Sequence, residues 1–518
     1  MSKKISIAIC LLTLNACMVG PDYQEPKTNV VQHWPKKDHS IVEKKPKNPA
    51  WWKLFHDPNL TALIYQGYQN NLSLQKAGVH VLQSRAQLAQ TVGELYPQQQ
   101  NMNGNYQYYR MGGNYLQDVL PPTFKAASLG FLATWEIDFW GKYRRAVLSQ
   151  DSAFLSSLAA YDNSLVTLTS DIANHYIALR TNETLIKVVK ENIAIQKMSL
   201  KLTESRYNAG EVSLVDVAEA KTILAETEAQ LPGYITALQS NKDALAVLLG
   251  LTPQEIEPLI QKKHSIPQAP DKLLVDIPRE AMLKRPDVEQ ARLNAIAQSE
   301  AIGATKAQLY PAFSLSGSFS FAANTINGAS LSDMFNSSNS NIIAGPLFSW
   351  PLLNYGQITN QVRAQDAVFQ QALLDYMNVV LKAQQEVQDN ITAYIQSKKS
   401  KQYLERAVKS AILSTKLTLI QYQEGEADYT TVLYAEQQQL RVQTELVEAQ
   451  AEVPKAVVGL YRALGGGWQI REHHDVVPQT IKNDMAKRTG WGSLLKEENH
   501  EAPTSDKQTF EELYLPNW

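Results

Sequence analysis

Arg206-Tyr207-Asn208-Ala209-Gly210-Glu211-Val212 has a second copy in this chain, Gln421-Tyr422-Gln423-Glu424-Gly425-Glu426-Ala427, lying 215 residues further on. Each copy interrupts a long stretch rich in Ala, Gln, Leu and charged residues. A glycine there can take the left-handed backbone that ends one helix and turns the chain back. The stretch therefore predicts a helical hairpin, used twice. The displacement recurs at unrelated landmarks. Trp135 and Gly141 match Trp350 and Gly356 at 215, Leu249-Gly250 matches Leu464-Gly465 at 215, and Leu95-Tyr96-Pro97 matches Leu309-Tyr310-Pro311 at 214. An internal duplication accounts for all of these together, whereas two coincidental glycines account for none of the others.

Between the landmarks the period of the sequence changes. Phe313, Leu315, Gly317, Phe319 and Phe321 fall on one face of an extended strand, and Ser314, Ser316, Ser318 and Ser320 fall on the other. That two-residue period predicts a sheet with one greasy and one wet side. Leu129, Phe131, Ala133 and Trp135 repeat the greasy face in the first half, after a Tyr-, Asn- and Gly-rich run from Asn101 to Met111. Asn341 to Trp350 supplies a fourth strand. Each half thus carries one β-hairpin, about 98–138 and about 312–351, and then a long helical path. Gly141 to Gly210 and Gly356 to Gly425 both span 69 residues, which at ~1.5 Å per residue is roughly 100 Å. Ile172, Tyr176, Leu179, Ile186, Val189 and Ile193 have the alternating three-and-four spacing of a coiled-coil seam.

The return path is broken. Glu211 to Gly250 is one helical run; a Pro-rich connector reaches about Pro278, and a further run of about thirty residues reaches Tyr310. The expectation is that these two runs stack, and that 58–96, a single helix capped by Asp57-Pro58, completes the second half in the same way. The first repeat is accordingly assigned to 58–270 and the second to 271–470. The stretch 471–518 is polar and without a clear period, and is expected to be a tail disordered in part.

The 49 Lys plus Arg nearly balance the 51 Asp plus Glu, which gives no nucleic-acid footprint. The two cysteines, Cys10 and Cys17, both lie in the first 17 residues, so the rest has no disulfide, thiol metal site or cysteine nucleophile. No later run of eighteen apolar residues would span a membrane as a helix. Residues 1–16 read as a secretory signal: Lys3 and Lys4, an apolar run from Ile5 to Leu14, then small residues. Leu14-Asn15-Ala16-Cys17 resembles a lipobox, although Asn15 departs from the usual small or β-branched residue there. That resemblance implies an S-diacylglycerol and an N-palmitoyl group on Cys17, at the head of an extended segment over 17–57. A plain cleavable signal with an incidental cysteine is the alternative.

Four strands per chain is the decisive count. An open sheet edge cannot sit in lipid, because its N–H and C=O groups would lack partners. Single-chain outer-membrane barrels begin at eight strands. Two chains would make eight strands around a lumen filled by side chains, and three would make twelve around an aqueous channel. The serine face would then meet water and the Phe/Leu face lipid. A small soluble sheet capping a coiled coil leaves the greasy face uncovered.

Motifs spread over nearly the whole chain resemble the TolC-like outer-membrane efflux factors, in their lipidated OprM/NodT-type branch. They are Cys17-Met18-Val19-Gly20-Pro21-Asp22-Tyr23 with Pro26, Trp51-Trp52-Lys53-Leu54-Phe55 with Asp57, and Trp135-Glu136-Ile137-Asp138-Phe139-Trp140-Gly141. Arg285-Pro286-Asp287-Val288 and Leu309-Tyr310-Pro311, leading into Ser314-Leu315-Ser316-Gly317, complete the set. The resemblance implies a mixed α and β membrane protein. Three chains would form a twelve-stranded outer-membrane barrel continued by a long periplasmic α-helical barrel. It further implies a passive exit duct that works with a periplasmic adaptor protein and an inner-membrane pump of the resistance-nodulation-division type. An exit duct for type I secretion and a non-conducting lipoprotein tether are the other readings.

The glycine turns then mark the inner tip of the duct, which the resemblance implies is a closed constriction. It also implies carboxylates six and nine residues after each turn glycine. Asp216 and Glu219 hold those places after Gly210. After Gly425 the places are taken by Thr431 and Tyr434, with Asp428 three residues on. Tyr434 is expected to narrow the entrance by bulk, and the acids to favour cations. Alternatively, Asp216 and Glu219 pair with Lys or Arg on neighbouring helices. No His-Glu-x-x-His, P-loop or Gly-x-Ser-x-Gly is present, and paired acids such as Glu226 and Glu228 suit a solvated helix face. No catalytic or metal site and no resident cofactor is therefore expected. Cys17→Ser should leave an unprocessed precursor without lipid label when cells are fed radioactive or clickable fatty acid; label on the variant would overturn the assignment.

Overall fold

The computed structural model describes residues 18–34, 38–44, 50–112, 121–260, 265–276, 278–326 and 329–496. Cys17 and the stretches 1–16 and 497–518 lie outside the described residues. In chain order, the short strand β1 (Ile41–Glu43) and a 3-10 turn at Trp51–Phe55 precede α1 (Pro58–Asn70) and α2 (Leu72–Gly93). The first repeat continues with β2 (Gln99–Arg110), β3 (Thr123–Ile137), α3 (Lys142–Asn208) and α4 (Leu214–Leu248). The single turn α5 (Glu257–Ile260), β4 (Leu273–Val275) and α6 (Pro278–Leu283) form the connector. The second repeat has α7 (Pro286–Ala307), β5 (Ala312–Asn324), β6 (Ser340–Ser349), α8 (Gln357–Gln423) and α9 (Tyr429–Ala463). A last helix, α10, is Gln479–Arg488.

The duplication is close in length. α3 and α8 are each 67 residues long, α4 and α9 each 35, and α2 and α7 each 22. Its landmarks prove to be partners of one another. The Trp135 indole N–H donates to the Leu95 carbonyl at 3.0 Å, and the Trp350 indole to the Leu309 carbonyl at 3.0 Å. Each tryptophan thus ties the foot of a strand to the helix end before its hairpin. Asp138 explains the motif around it by capping α3, accepting from the Tyr143 and Arg144 amides at 3.2 and 2.9 Å.

β2, β3, β5 and β6 form one antiparallel sheet in that order, so β2 and β6 are free edges in a single chain. The register sets Met102, Phe131, Phe319 and Ile342 in one row across it, and Trp135, Leu315 and Pro346 in another. The opposite face carries Asn101, Asn103 and Asn105, then Ser128 and Thr134, then the serines of β5. The division is incomplete: Leu132 of β3 shares the serine face, as do the exposed Ile343 and Leu347 of β6. The wet side is therefore less uniformly polar than the alternation in β5 predicts.

The long helices bind the halves together. Near its start α3 lies on α7, where Ser149 Oγ donates to the Ala297 carbonyl at 2.8 Å. Further along it lies on α9, where Asn192 Nδ2 donates to Gln443 Oε1 at 2.7 Å. The apolar core sits at mid-length, where Leu165, Ile172, Tyr176 and Leu179 of α3 join Val380, Val387, Ile391 and Tyr394 of α8. Trp51 and Trp52 are driven into it, Trp51 stacked on Tyr461 with ring centroids 6.2 Å apart. Of the predicted seam Ile172, Tyr176, Leu179, Val189 and Ile193 are buried, whereas Ile186 is only partly so and its neighbour Leu185 is buried in its stead.

Three expectations need correction. The helix over 58–96 is broken at Asn71, whose extended backbone starts a second helix and whose Oδ1 accepts from the Leu74 amide at 2.8 Å. Stacking also differs. α2 stands on α4 of its own repeat, where Asn71 Nδ2 donates to the Leu248 carbonyl at 2.9 Å. α7 stands on α9, where the Arg285 guanidinium donates to the Ala463 carbonyl. In both stacks a carbonyl-rich C-terminus meets an N-terminus of opposite polarity, which favours the arrangement. The connector has instead moved sideways, with β4 pairing in parallel with β1 from Ile41↔Leu273 to Glu43↔Val275.

Third, 471–496 is built into the fold. Arg471 makes a bidentate pair with Asp162 and both are buried. Val476 and Val477 are buried against α2, where a Cβ on Gly78 would come within 2.1 Å of the Val476 carbonyl oxygen. Lys482, also buried, pairs with Asp475 and donates to the Leu495 carbonyl at 3.1 Å. Polar composition hid this packing because the charges are used in buried pairs. Arg471→Ala would strand the Asp162 carboxylate, at a cost of about 3–5 kcal/mol. Its unfolding midpoint should fall well below that of the Arg471→Met, Asp162→Leu double variant; equal midpoints would show that the pair is not buried as described.

Candidate functional site

The far ends of the hairpins form the candidate site. α3 ends in a Schellman motif: Gly210 N–H donates to the Tyr207 carbonyl at 2.9 Å and Glu211 N–H to the Arg206 carbonyl at 2.9 Å. α8 ends identically, with Gly425 on Tyr422 at 3.1 Å and Glu426 on Gln421 at 2.8 Å. The glycines hold φ of 78° and 80°, which a side chain would strain. The chain then turns straight into the next helix.

The two starts differ. Ser213 and Asp216 form a capping box: Ser213 Oγ accepts from the Val215 amide at 3.1 Å, and Asp216 Oδ2 from the Ser213 amide at 3.1 Å. Asp216 is therefore committed to its own helix as well as half-exposed. Glu219 stands one turn on, with Oε2 buried and unpartnered. Neither acid takes part in the ion pairs described for this region, which are Arg206–Glu211 at 3.0 Å, Lys221–Glu204 at 3.1 Å and Lys197–Glu228 at 2.8 Å. Asp428 occupies the N-cap of α9 without a side-chain cap bond. Thr431 and Tyr434 follow at three-residue steps on that helix, both exposed, Tyr434 at 68%.

The link between the tips comes from residues outside that set. Arg206, in the last turn of α3, donates to the Tyr422 carbonyl. Its guanidinium carbon lies 4.7 Å from the centroid of the Tyr422 ring. The Tyr422 hydroxyl donates back to Thr203 Oγ1 at 3.3 Å, and its ring meets Tyr429 edge-on at 5.5 Å between centroids. Both tyrosines are buried. The repeat itself was the available signal: Arg206 and Tyr207 align with Gln421 and Tyr422, so the copies differ at the position that reaches across. Burial and the nearby Asp216 and Glu211 carboxylates raise the Tyr422 pKa, opposed by Thr203 and Arg206, so the ring stays neutral.

Further from the tip the helices meet through polar groups. Asn192, Gln196, Ser199 and Thr203 of α3 are buried at three- and four-residue spacing. Glu436 and Gln439 face them from α9, Gln439 Nε2 donating to Asn192 Oδ1 at 3.4 Å. Among the described residues no group of three His, Cys, Asp or Glu is placed to hold a metal.

No helix among the described residues is long and apolar enough to cross a membrane. The lipid-ready element is the sheet, whose Phe131, Leu315, Phe319, Ile342 and Phe348 lie exposed in aligned rows. A two-edged membrane sheet continued by paired hairpins of this length defines an outer-membrane channel subunit. Residues 63–251 and 277–466 each match the family described as outer membrane efflux protein, once per repeat, and the chain belongs to that family. It is 27% identical over 474 residues to nodulation protein T of Rhizobium leguminosarum bv. viciae, covering 90% of this chain and 94% of that one. It is 26% identical to the solvent efflux pump outer membrane protein SrpC of Pseudomonas putida, over 89% of this chain and 98% of that one. The solved outer-membrane channel OprN superposes with a TM-score of 0.81 at 27% identity, over 88% of this chain and all of that one.

Arg206→Ala should free the tips from each other. Hydrogen exchange over 199–210 and 418–429 should rise several-fold in the purified full-length protein while exchange in the mid-length core stays unchanged; no rise would remove Arg206 as the link.

Proposed function

We propose that three copies of this chain close one twelve-stranded barrel in the outer membrane and serve as the passive exit duct of a tripartite efflux pump. The observation that carries this is the four-stranded sheet with two free edges and one apolar face. In lipid those edges must pair, and β6 of one copy against β2 of the next satisfies both with a single repeated contact. The hairpins of the three copies would then continue the duct for roughly 100 Å into the periplasm. A periplasmic adaptor and an inner-membrane pump, in this proposal of the resistance-nodulation-division type, supply the docking partner and the energy; the efflux pump in the name of the Pseudomonas relative supports a pump partner. The chain acts as a conduit and not as a catalyst.

Acylation of Cys17 fits the same picture. Met18 packs on Gly141, four residues past the end of β3, and Val19 N–H donates to the Trp140 carbonyl at 3.1 Å. Beyond it Asp22 pairs with the buried Arg145 at 2.9 Å, and Glu25 accepts from the Tyr376 hydroxyl at 2.9 Å. Met18 to Asp22 are thus held where the sheet leaves the helices, which supports an N-palmitoyl, S-diacylglycerol anchor on Cys17.

Gly210 and Gly425 mark the inner mouth. Asp216 and Glu219 in one hairpin, with Asp428, Thr431 and Tyr434 in the other, set its width and charge. The purified protein should be a trimer in mild detergent and conduct ions in planar bilayers. Tyr434→Ala should raise conductance or open probability, and Asp216→Asn, which keeps a cap acceptor but loses the charge, should weaken cation preference. A non-conducting protein would leave only a tether, and two variants indistinguishable from the parent would place the constriction elsewhere.

A further inference from the structure

Glu436 is the acid that α9 contributes to the polar seam between the hairpins, and its surroundings are unusual. It is 2% exposed, and neither carboxyl oxygen makes a well-formed hydrogen bond, the Ser199 hydroxyl being the one polar group close enough to act on it. The Ser199 hydroxyl of α3 lies beside it and beside the Tyr429 hydroxyl, which is on the same helix two turns nearer the tip. Both amide atoms of Gln196, Ser199 Oγ, Tyr429 Oη and Glu219 Oε2 are likewise buried without a partner. From α4 the ionisable group that acts on Tyr429 is Glu219. α8 contributes Tyr422 and the hydroxyl of Thr415, which donates to the Ala435 carbonyl at 3.1 Å. The charged groups at this end, Arg206, Glu211 and Asp216, gather around Tyr422. No Lys or Arg is among the described groups that act on Glu436.

An ionised carboxylate in such a place has lost its water and gained no counter-charge, which disfavours it strongly. A neutral carboxylic acid is tolerated. It can also donate a proton to one of the orphaned oxygens nearby, which a carboxylate cannot. We propose that Glu436 is a proton-operated latch between the two hairpins: protonated, it lets α3 and α9 pack; ionised, it loosens the inner mouth. This rests on the duct reading above and adds a regulator to that site.

Burial pushes the Glu436 carboxyl from the ordinary 4.5 up to about 7, with the Ser199 hydroxyl pulling the other way. If the hairpins part, water reaches the group and the ordinary value returns. The packed form then binds the extra proton, so its advantage is full below about 4.5, declines as pH rises, and is gone above about 7. The mouth tightens in acid and loosens towards neutrality.

The test is single-channel recording of the full-length protein from pH 5 to 8, parent against Glu436→Gln, with and without EDTA. Glutamine has the shape of the protonated acid and cannot ionise. The parent should open several-fold more often at pH 7.5 than at pH 5, with EDTA making no difference, and Glu436→Gln should stay at the parent's acid level throughout. A pH response retained in Glu436→Gln would overturn the latch, and so would a parent response removed by EDTA, which would mean a bound cation in place of the proton. Hydrogen exchange of 192–203 and 429–439, compared between the two proteins at each pH, reads the same equilibrium without conduction. The parent should exchange several-fold faster than the variant at pH 7.5 and equally at pH 5. Equal exchange at both would overturn the latch, whereas a parent silent at every pH with the expected exchange would sink only the duct.

Discussion

A backbone amide or carbonyl in hydrocarbon has no water to turn to, and the sheet of this chain ends in two rows of them, along β2 and β6. That constraint governs the rest of the molecule. The strands cannot close on themselves within one copy, so the helices beneath must hold each copy at the angle at which its edges meet the next. A flexible stalk would not serve. The tryptophan ties from Trp135 and Trp350 to the preceding helix ends, and Asp138 at the start of α3, make the junction stiff on the side of both hairpins. The wet face carries apolar side chains inside the sheet as well as at its edge, since Leu132 of β3 shares it. Ile343 and Leu347 stand on the wet face of the strand that must meet a neighbour.

Duplication gives the chain two near-identical hairpins, and the structure uses their differences. Turn geometry is the shared part, since Gly210 and Gly425 carry the same pair of capping bonds. The helix starts beyond the turns are free to vary: a capping box with Asp216 in one, an unassisted N-cap at Asp428 in the other. Arg206 has Gln421 as its counterpart, and only the arginine reaches the opposite tip. Such asymmetry lets one chain contribute two different walls to a symmetric assembly.

The sequence made the periodic features readable. The alternating β5, the glycine turns and the equal helix lengths follow from local chemistry alone. The break at Asn71 did not show, because an asparagine on a helix face is ordinary until its side chain is seen capping Leu74 and bonding Leu248. Stacking of α2 on α4 was hidden for the same reason: it depends on which ends meet, and the connector runs the same length either way. The packed residues after 470 were hidden by their charge, with Arg471 and Lys482 buried only because Asp162 and Asp475 meet them. At the ends of the hairpins, sequence located the two glycine turns. It missed Arg206, Tyr422 and Glu436, whose partners lie about 215 to 240 residues away along the chain.

The character of burial along α3 gives the last step. From Leu158 to Val189 its hidden side chains are mostly apolar and join the large mid-length core. From Asn192 to Thr203 they are mostly Asn, Gln, Ser and Thr, and two of them, Gln196 and Ser199, have no partner. Apolar packing gains from every methylene removed from water, whereas a half-satisfied polar seam gains little on closing and is readily wetted on opening. The same helix is therefore most cohesive in its middle, and its far end is held by a smaller apolar cluster around Tyr422, Tyr429 and Val432 together with Arg206. On the proposed opening of the mouth, a rod that keeps a barrel aligned at one end and parts from its neighbour at the other gains from that gradient, because uniform apolar packing would make opening the tip far costlier.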